Sequence, residues 1–132
     1  MTEGRYVRMH ADEVPLRQRE EPPLLEERDY PEVLEKACGR TGWPPDGAIV
    51  VGVPVIGLCH VFPEERRIEA PLVIPAARST RSYATLLLHA CNVLGPGPAT
   101  LESWGDTEDV LEAYEDLGFD VVERVQGWEL AL

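Results

Sequence analysis

The chain has 132 residues, 44% of them apolar, the size and composition of one globular domain that can bury a core without staples. Its 24 acidic residues outnumber 12 Lys and Arg, giving a net charge of −12. That surface repels nucleic acid and anionic membranes and attracts cations, so neither of the first two is expected as a partner.

No apolar run is long enough to cross a bilayer, and the opening MTEGRYVRMHADE has no signal-like apolar stretch, so a cytoplasmic protein is expected. Cys38, Cys59 and Cys91 are far apart, form no C-x-x-C pair and read as buried thiols. His10, His60 and His89 are equally scattered and no H-E-x-x-H occurs, so no metal is expected.

Residues 5–10 (RYVRMH) read as a short strand. Residues 11–28 are rich in charge, and prolines 15, 22 and 23 interrupt any long helix there. Asp29 reads as an N-cap for a short helix, YPEVLEKACGR, with Val33, Leu34 and Ala37 on one face and Gly39 or Gly42 as its stop. After the turn-rich TGWPPDG come AIVV (48–51) and VPVIGLCHVF, a hairpin with its turn expected near Gly52. RIEAPLVI (67–74) is a further strand. Pro71 cannot donate to a ladder and marks a bulge or an unpaired position in it.

PAARST is a loop in which Ser79 or Thr80 caps the next helix. That helix, RSYATLLLHACNVL, has apolar residues at 83, 84, 87, 88, 91 and 94 in helical spacing, and GPGP ends it. ATLESW (99–104) is a strand. Asp106 or Thr107 caps the last helix, TEDVLEAYEDLGF, which Gly118 closes. The tail DVVERVQGWELAL is two short strands around Gln126 and Gly127, or one bent strand. Trp43, Trp104 and Trp128 read as core or sheet-face aromatics. The order predicts one α/β (α+β) domain, a mixed sheet with helices packed on it.

Two segments carry a resemblance. LVIPAARSTRSYATLLLHA places a valine-containing strand, a loop and a helix where one family has a strand, an Arg/Gln-x-x-Gly-x-Gly/Ala loop and a helix. LESWGDTEDVLEAYEDLGF supplies the following strand and a helix with the spacing Tyr114-x-x-x-Gly118-Phe119. From Ala48 to the C-terminus the chain resembles the GNAT superfamily of acyl-CoA-dependent N-acetyltransferases. Residues 1–47 correspond by position to an abbreviated N-terminal strand and helix region.

The resemblance implies a mixed, mostly antiparallel central sheet of about six or seven strands, splayed in the middle, with acetyl-CoA or a longer acyl-CoA as cofactor. A helix N-terminus exposes unpaired N–H groups and partial positive charge that suit a pyrophosphate. Arg78, Ser79, Arg81, Ser82, Tyr83 and Ala84 are the implied contacts there, with Leu72, Val73 and Ile74 carrying the acyl arm. Tyr114 matches the general acid at the departing thiolate. Glu69 is the candidate base and His60 the second, each set against a purely structural role; His60, Trp43 and Trp104 are candidates for the acceptor pocket. Two departures stand out: Ser79 replaces the usual Arg or Gln, and Ser82 replaces a glycine that lets backbone approach phosphate.

The function implied is acyl transfer to the amine of a small cationic substrate, aminoglycoside-like or polyamine. The alternative is a repurposed protein of this fold that binds a metabolite or partner or runs other chemistry. Exposed sheet ends also leave a homodimer open.

Overall fold

The computed structural model describes residues 5–16 and 21–126. Among these residues six strands and three α-helices follow in the order β1 Arg5–Ala11, α1 Tyr30–Cys38, β2 Ile49–Val53, β3 Gly57–Phe62, β4 Arg67–Val73, α2 Thr80–Leu94, β5 Ala99–Trp104, α3 Glu108–Asp116 and β6 Asp120–Gln126. The strands form one sheet in the order β2-β3-β4-β5-β1-β6. The β4–β5 pair is parallel and the other four pairs are antiparallel. The fold is thus a mixed, mostly antiparallel six-stranded sheet flanked by helices.

Side-chain alternation divides the core in two. Val51, Cys59, Val61, Ile68, Leu101 and Met9 pack with Leu86, Leu87 and Cys91 of α2 and with Leu111, Tyr114 and Phe119 at α3. Their neighbours Val50 and Leu58 point the other way and pack on Tyr30, Val33 and Leu34 of α1. On that face α1 contacts β3 and β4. Tyr6, Glu102 and Trp104 remain half-buried or exposed toward the β1–β5 side. This partly covered face carries the candidate site.

Several local readings hold. Pro31 lies in the first turn of α1, and Gly39 ends it in the left-handed region at φ 75°. Asp29 occupies the N-cap position, but its side chain makes no capping bond, because a 3-10 turn over Glu27–Asp29 already leads into the helix. Ser79 caps α2, accepting the Ser82 N–H. Thr107 stands at the N-cap of α3.

The hairpin turn is not at Gly52. It falls at residues 54–56, closed by Ile56 N–H to Val53 O at 2.8 Å, and Gly52 stays inside β2 opposite Leu58. The glycine serves close approach rather than turning: a Cβ there would stand 2.6 Å from the Gly57 carbonyl oxygen. The proline-rich N-terminal loop lies against the outer edge of β2. Leu25 N–H reaches Val50 O at 2.9 Å, and Gly52 N–H reaches Pro23 O at 2.8 Å. This pairing covers an edge that would otherwise be open. Of the tail, β6 is one strand; the second tail strand and Trp128 lie outside the described residues. No helix among the described residues is long and apolar enough to cross a membrane.

Gly52→Ala is expected to cost on the order of 2 kcal/mol, because backbone must move to admit the methyl. Urea unfolding should show a lower midpoint with an unchanged slope.

Candidate active site

Pro71 shapes the centre of the sheet. On the β3 side the register jumps from Leu58↔Leu72 to His60↔Glu69, so Ala70 and Pro71 together oppose Cys59. This is a bulge, placed where proline has no N–H to give. The Cys59 thiol donates to the Glu69 carbonyl at 3.1 Å. On the β5 side the parallel pairs run from Arg67↔Thr100 to Glu69↔Glu102 and stop. Both strands continue, β4 to Val73 and β5 to Trp104, so their ends diverge. A cleft in two lobes opens along the fork. The larger, about 490 Å³, is lined by Arg40, His60, Glu69, Glu102 and Ala70. The smaller, about 300 Å³, is lined by Ala37, Val73, Arg78, Tyr83, Gly105, Thr107 and Val110. Pro71, Leu72, Trp104 and Asp106 line both.

The larger lobe is acidic. Arg67, on the same strand face as Glu69, reaches Glu69 Oε2 at 3.2 Å and Glu102 Oε1 at 2.9 Å, clamping the last β4–β5 pair. Tyr6 donates its hydroxyl to Glu102 Oε2 at 2.9 Å. His60 Nδ1 stands 3.4 Å from Glu69 Oε1, while its Nε2 and the Tyr30 hydroxyl are hydrogen-bonded at 2.6 Å. The imidazole beside it, and then Arg67, hold the Glu69 carboxyl below its ordinary pKa against the opposing pull of burial.

Asp106 marks the joint of the lobes. The fully buried Ser103 donates its hydroxyl to Asp106 Oδ2 at 2.6 Å. Burial pushes the Asp106 carboxyl up, partly offset by the hydroxyls of Ser103 and Tyr114. Tyr114 is fully buried, and its hydroxyl meets the Asp106 carboxyl without the geometry of a full hydrogen bond. Burial, reinforced by the Asp106 charge, raises its pKa well above the ordinary tyrosine value. Burial also raises Tyr83, which lines the smaller lobe.

At the start of α2 the chain satisfies much of its own polarity. Ser79 Oγ accepts the Ser82 N–H at 3.2 Å, and Ser79 O accepts the Tyr83 N–H at 3.3 Å. The Ser82 hydroxyl donates to Ala77 O at 2.8 Å. Arg78 turns inward, donating to Val73 O at 3.1 Å and to Ala37 O at 3.0 Å, which ties the end of α1 to the end of β4.

A crystal structure of a protein from Novosphingobium aromaticivorans DSM 12444, assigned to the GNAT family as an acetyltransferase, superposes with a TM-score of 0.64 over 96% of this chain. The fold is that of the GNAT acetyltransferases. Identity between the two is 19%, and the match spans 63% of the other chain. No protein-family model matches the sequence, and no curated protein matches it.

Of the residues implied by the GNAT resemblance, Glu69, His60, Trp104, Leu72, Val73, Arg78 and Tyr83 line the cleft. Tyr114 lines neither lobe and meets the cleft through Asp106. Ser79 and Arg81 are exposed, Ser82 and Ala84 half-buried, all at the N-terminal end of α2 outside both lobes. Ile74 gives its N–H to Ile56 O at 2.8 Å and lines neither lobe. Trp43 stands apart: it is 67% exposed and lines a separate hollow with Leu25, Tyr30 and Pro45. Arg40, Glu102 and Asp106 are cleft residues that sequence reasoning missed. Asp106 read only as a helix cap, and Glu102 lies on a strand whose partner is not a chain neighbour. The i,i+2 spacing of Arg67 and Glu69 was the one local signal for the charge cluster. Among the described residues no group of three or more His, Cys, Asp or Glu side chains is placed to hold a metal ion.

Because the folded pKa of Glu69 is depressed, its ion pairs add stability above the ordinary glutamate range, and this is lost as pH falls through the lower folded value. His60→Ala removes the largest cause. It is expected to raise the Glu69 titration followed by carboxyl-carbon NMR and to flatten that part of the stability–pH curve. An unmoved titration would assign the depression to Arg67 alone.

Proposed function

We propose that this chain moves an acetyl or longer acyl group from acyl-CoA to the amine of a small cationic substrate. The observation that carries the reading is the fork itself: β4 and β5 part after Glu69 and Glu102, and a two-lobed cleft lies along the gap. An extended acyl arm can lie in the smaller lobe against Leu72, Val73 and Val110. The α2 N-terminus suits the phosphates through its partial positive charge, with Arg78 as the cation among the described residues lining that lobe. Acyl-CoA supplies the activated thioester; the chain supplies orientation and proton transfer.

The larger lobe suits the acceptor. Glu69, Glu102 and Asp106 face Arg40 there, and the exposed Trp104 ring offers a surface for a cation at the mouth. A carboxyl whose pKa is depressed prefers to stay an anion, so Glu69 is better suited to hold an ammonium group than to take its proton. An oligoamine fits three carboxylates better than a singly charged amine does. Tyr114 is assigned proton donation to the departing thiolate, and burial keeps its hydroxyl protonated.

One observation favours a second reading. Arg78 and Ser79 are spent on internal bonds, as a protein of this fold that no longer binds coenzyme A would have them.

Thermal-shift and calorimetric titration with acetyl-CoA separates the two. Stabilisation should grow with ligand concentration, reaching about 2.7 kcal/mol at a hundredfold excess over Kd. A panel of diamines and polyamines should give turnover, with thiol release as the readout. No shift at millimolar acetyl-CoA would leave the second reading standing.

Tyr114→Phe is expected to lower kcat far more than acetyl-CoA affinity. Removing a buried hydroxyl that makes no full hydrogen bond should change the melting temperature little. Loss of affinity in step with kcat would argue against proton donation.

A further inference from the structure

Four residues line both lobes of the cleft, Pro71, Leu72, Trp104 and Asp106, and of these Asp106 alone carries an acid–base side chain. If the smaller lobe holds the acyl arm and the larger holds the amine, the reacting atoms meet where the lobes join. We infer that Asp106 is the catalytic proton acceptor for the attacking amine. This assignment rests on the acyl-transfer reading above and specifies the group that does its proton chemistry.

The carboxyl is built to be both fixed and basic. Ser103, fully buried on β5, donates to Oδ2 at 2.6 Å and sets the orientation of the group. The titratable groups that bear on it are Cys59 from β3, Tyr83 from α2 and Tyr114 from α3. Arg40 in the larger lobe and Arg78 in the smaller are the cations on the same walls, and neither offsets burial at the Asp106 carboxyl. Burial therefore dominates and raises the Asp106 pKa, the direction a general base working near neutrality requires. Glu69, which lines the same larger lobe, is shifted in the opposite direction by His60 and Arg67. Two carboxyls whose environments push them apart take different roles, one anchoring charge and one moving protons.

The step balances without any further reactant. The bound ammonium gives one proton to the Asp106 carboxylate, which becomes the acid. The freed nitrogen lone pair forms the C–N bond at the thioester carbonyl carbon, and the C–S bond breaks with its electron pair on sulfur. The nitrogen sheds its second proton as the amide forms, and the leaving sulfur ends as a thiol. Asp106 then returns its proton to solvent.

The test is Asp106→Asn, which keeps the shape and an acceptor for Ser103. It is expected to lower kcat on the order of 10²–10⁴-fold with acetyl-CoA affinity by calorimetry unchanged. It should also abolish the acidic limb of the kcat/KM profile. Ser103→Ala withdraws a hydrogen bond that favours the anion, so it should move that limb to higher pH while leaving a working enzyme. A variant Asp106→Asn that keeps its rate and its acidic limb overturns the assignment while the transferase reading stands. Should that variant not fold, an acidic limb unmoved by Ser103→Ala overturns it instead. A wild-type chain that binds acetyl-CoA yet acylates no amine overturns the transferase reading, and the Asp106 assignment falls with it.

Discussion

The structure turns on a missing donor. Pro71 cannot give a backbone hydrogen to either neighbour of β4, and the chain answers with a bulge on the β3 side and a fork on the β5 side. Neither break is left loose. The Cys59 thiol takes up the Glu69 carbonyl at the bulge, and Arg67 clamps Glu69 to Glu102 at the last closed pair. The sheet therefore opens at a defined point instead of fraying, and the cleft inherits its position from one imino acid.

The cleft sorts its carboxylates by surroundings. Glu69 sits between a histidine and an arginine and is held anionic. Asp106 sits among hydroxyls and a buried thiol and is made more basic by burial. Glu102 is bonded to Tyr6 and Arg67. The same side-chain chemistry thus offers an anchor and a proton acceptor within one pocket. This is how a folded chain separates functions that free carboxylates in water would share.

At the other end of the cleft the chain holds its own groups closed. Arg78 spans from β4 to the end of α1, and Ser79 takes amides that open α2. An anionic ligand at this helix end has to compete with bonds already made, so its affinity reflects the difference between old and new partners. That competition sets this site apart from a bare helix N-terminus, whose amides are satisfied by water alone.

Local rules in the sequence determined most of the elements: the periodic apolar face of α1, the left-handed stop at Gly39, the Ser79 cap and the bulge at Pro71, whereas the buried face of α2 was read only in part, at Leu87, Leu88 and Cys91 and without Leu86 and Ala90. Each follows from contacts within a few residues, which a linear reading can reach. The hairpin turn escaped it, because Gly52 is required by a cross-strand approach to Gly57 and not by its own backbone angles. Only the tertiary structure put β1 between β5 and β6, set Asp106 and Glu102 in the cleft, withdrew Tyr114 behind Asp106 and left Trp43 in another hollow. Those outcomes depend on which distant strands pair and on how much surface the helices then cover. That is settled by the packing of the whole chain, where burial and neighbouring charge act across separations that spacing along the sequence does not encode.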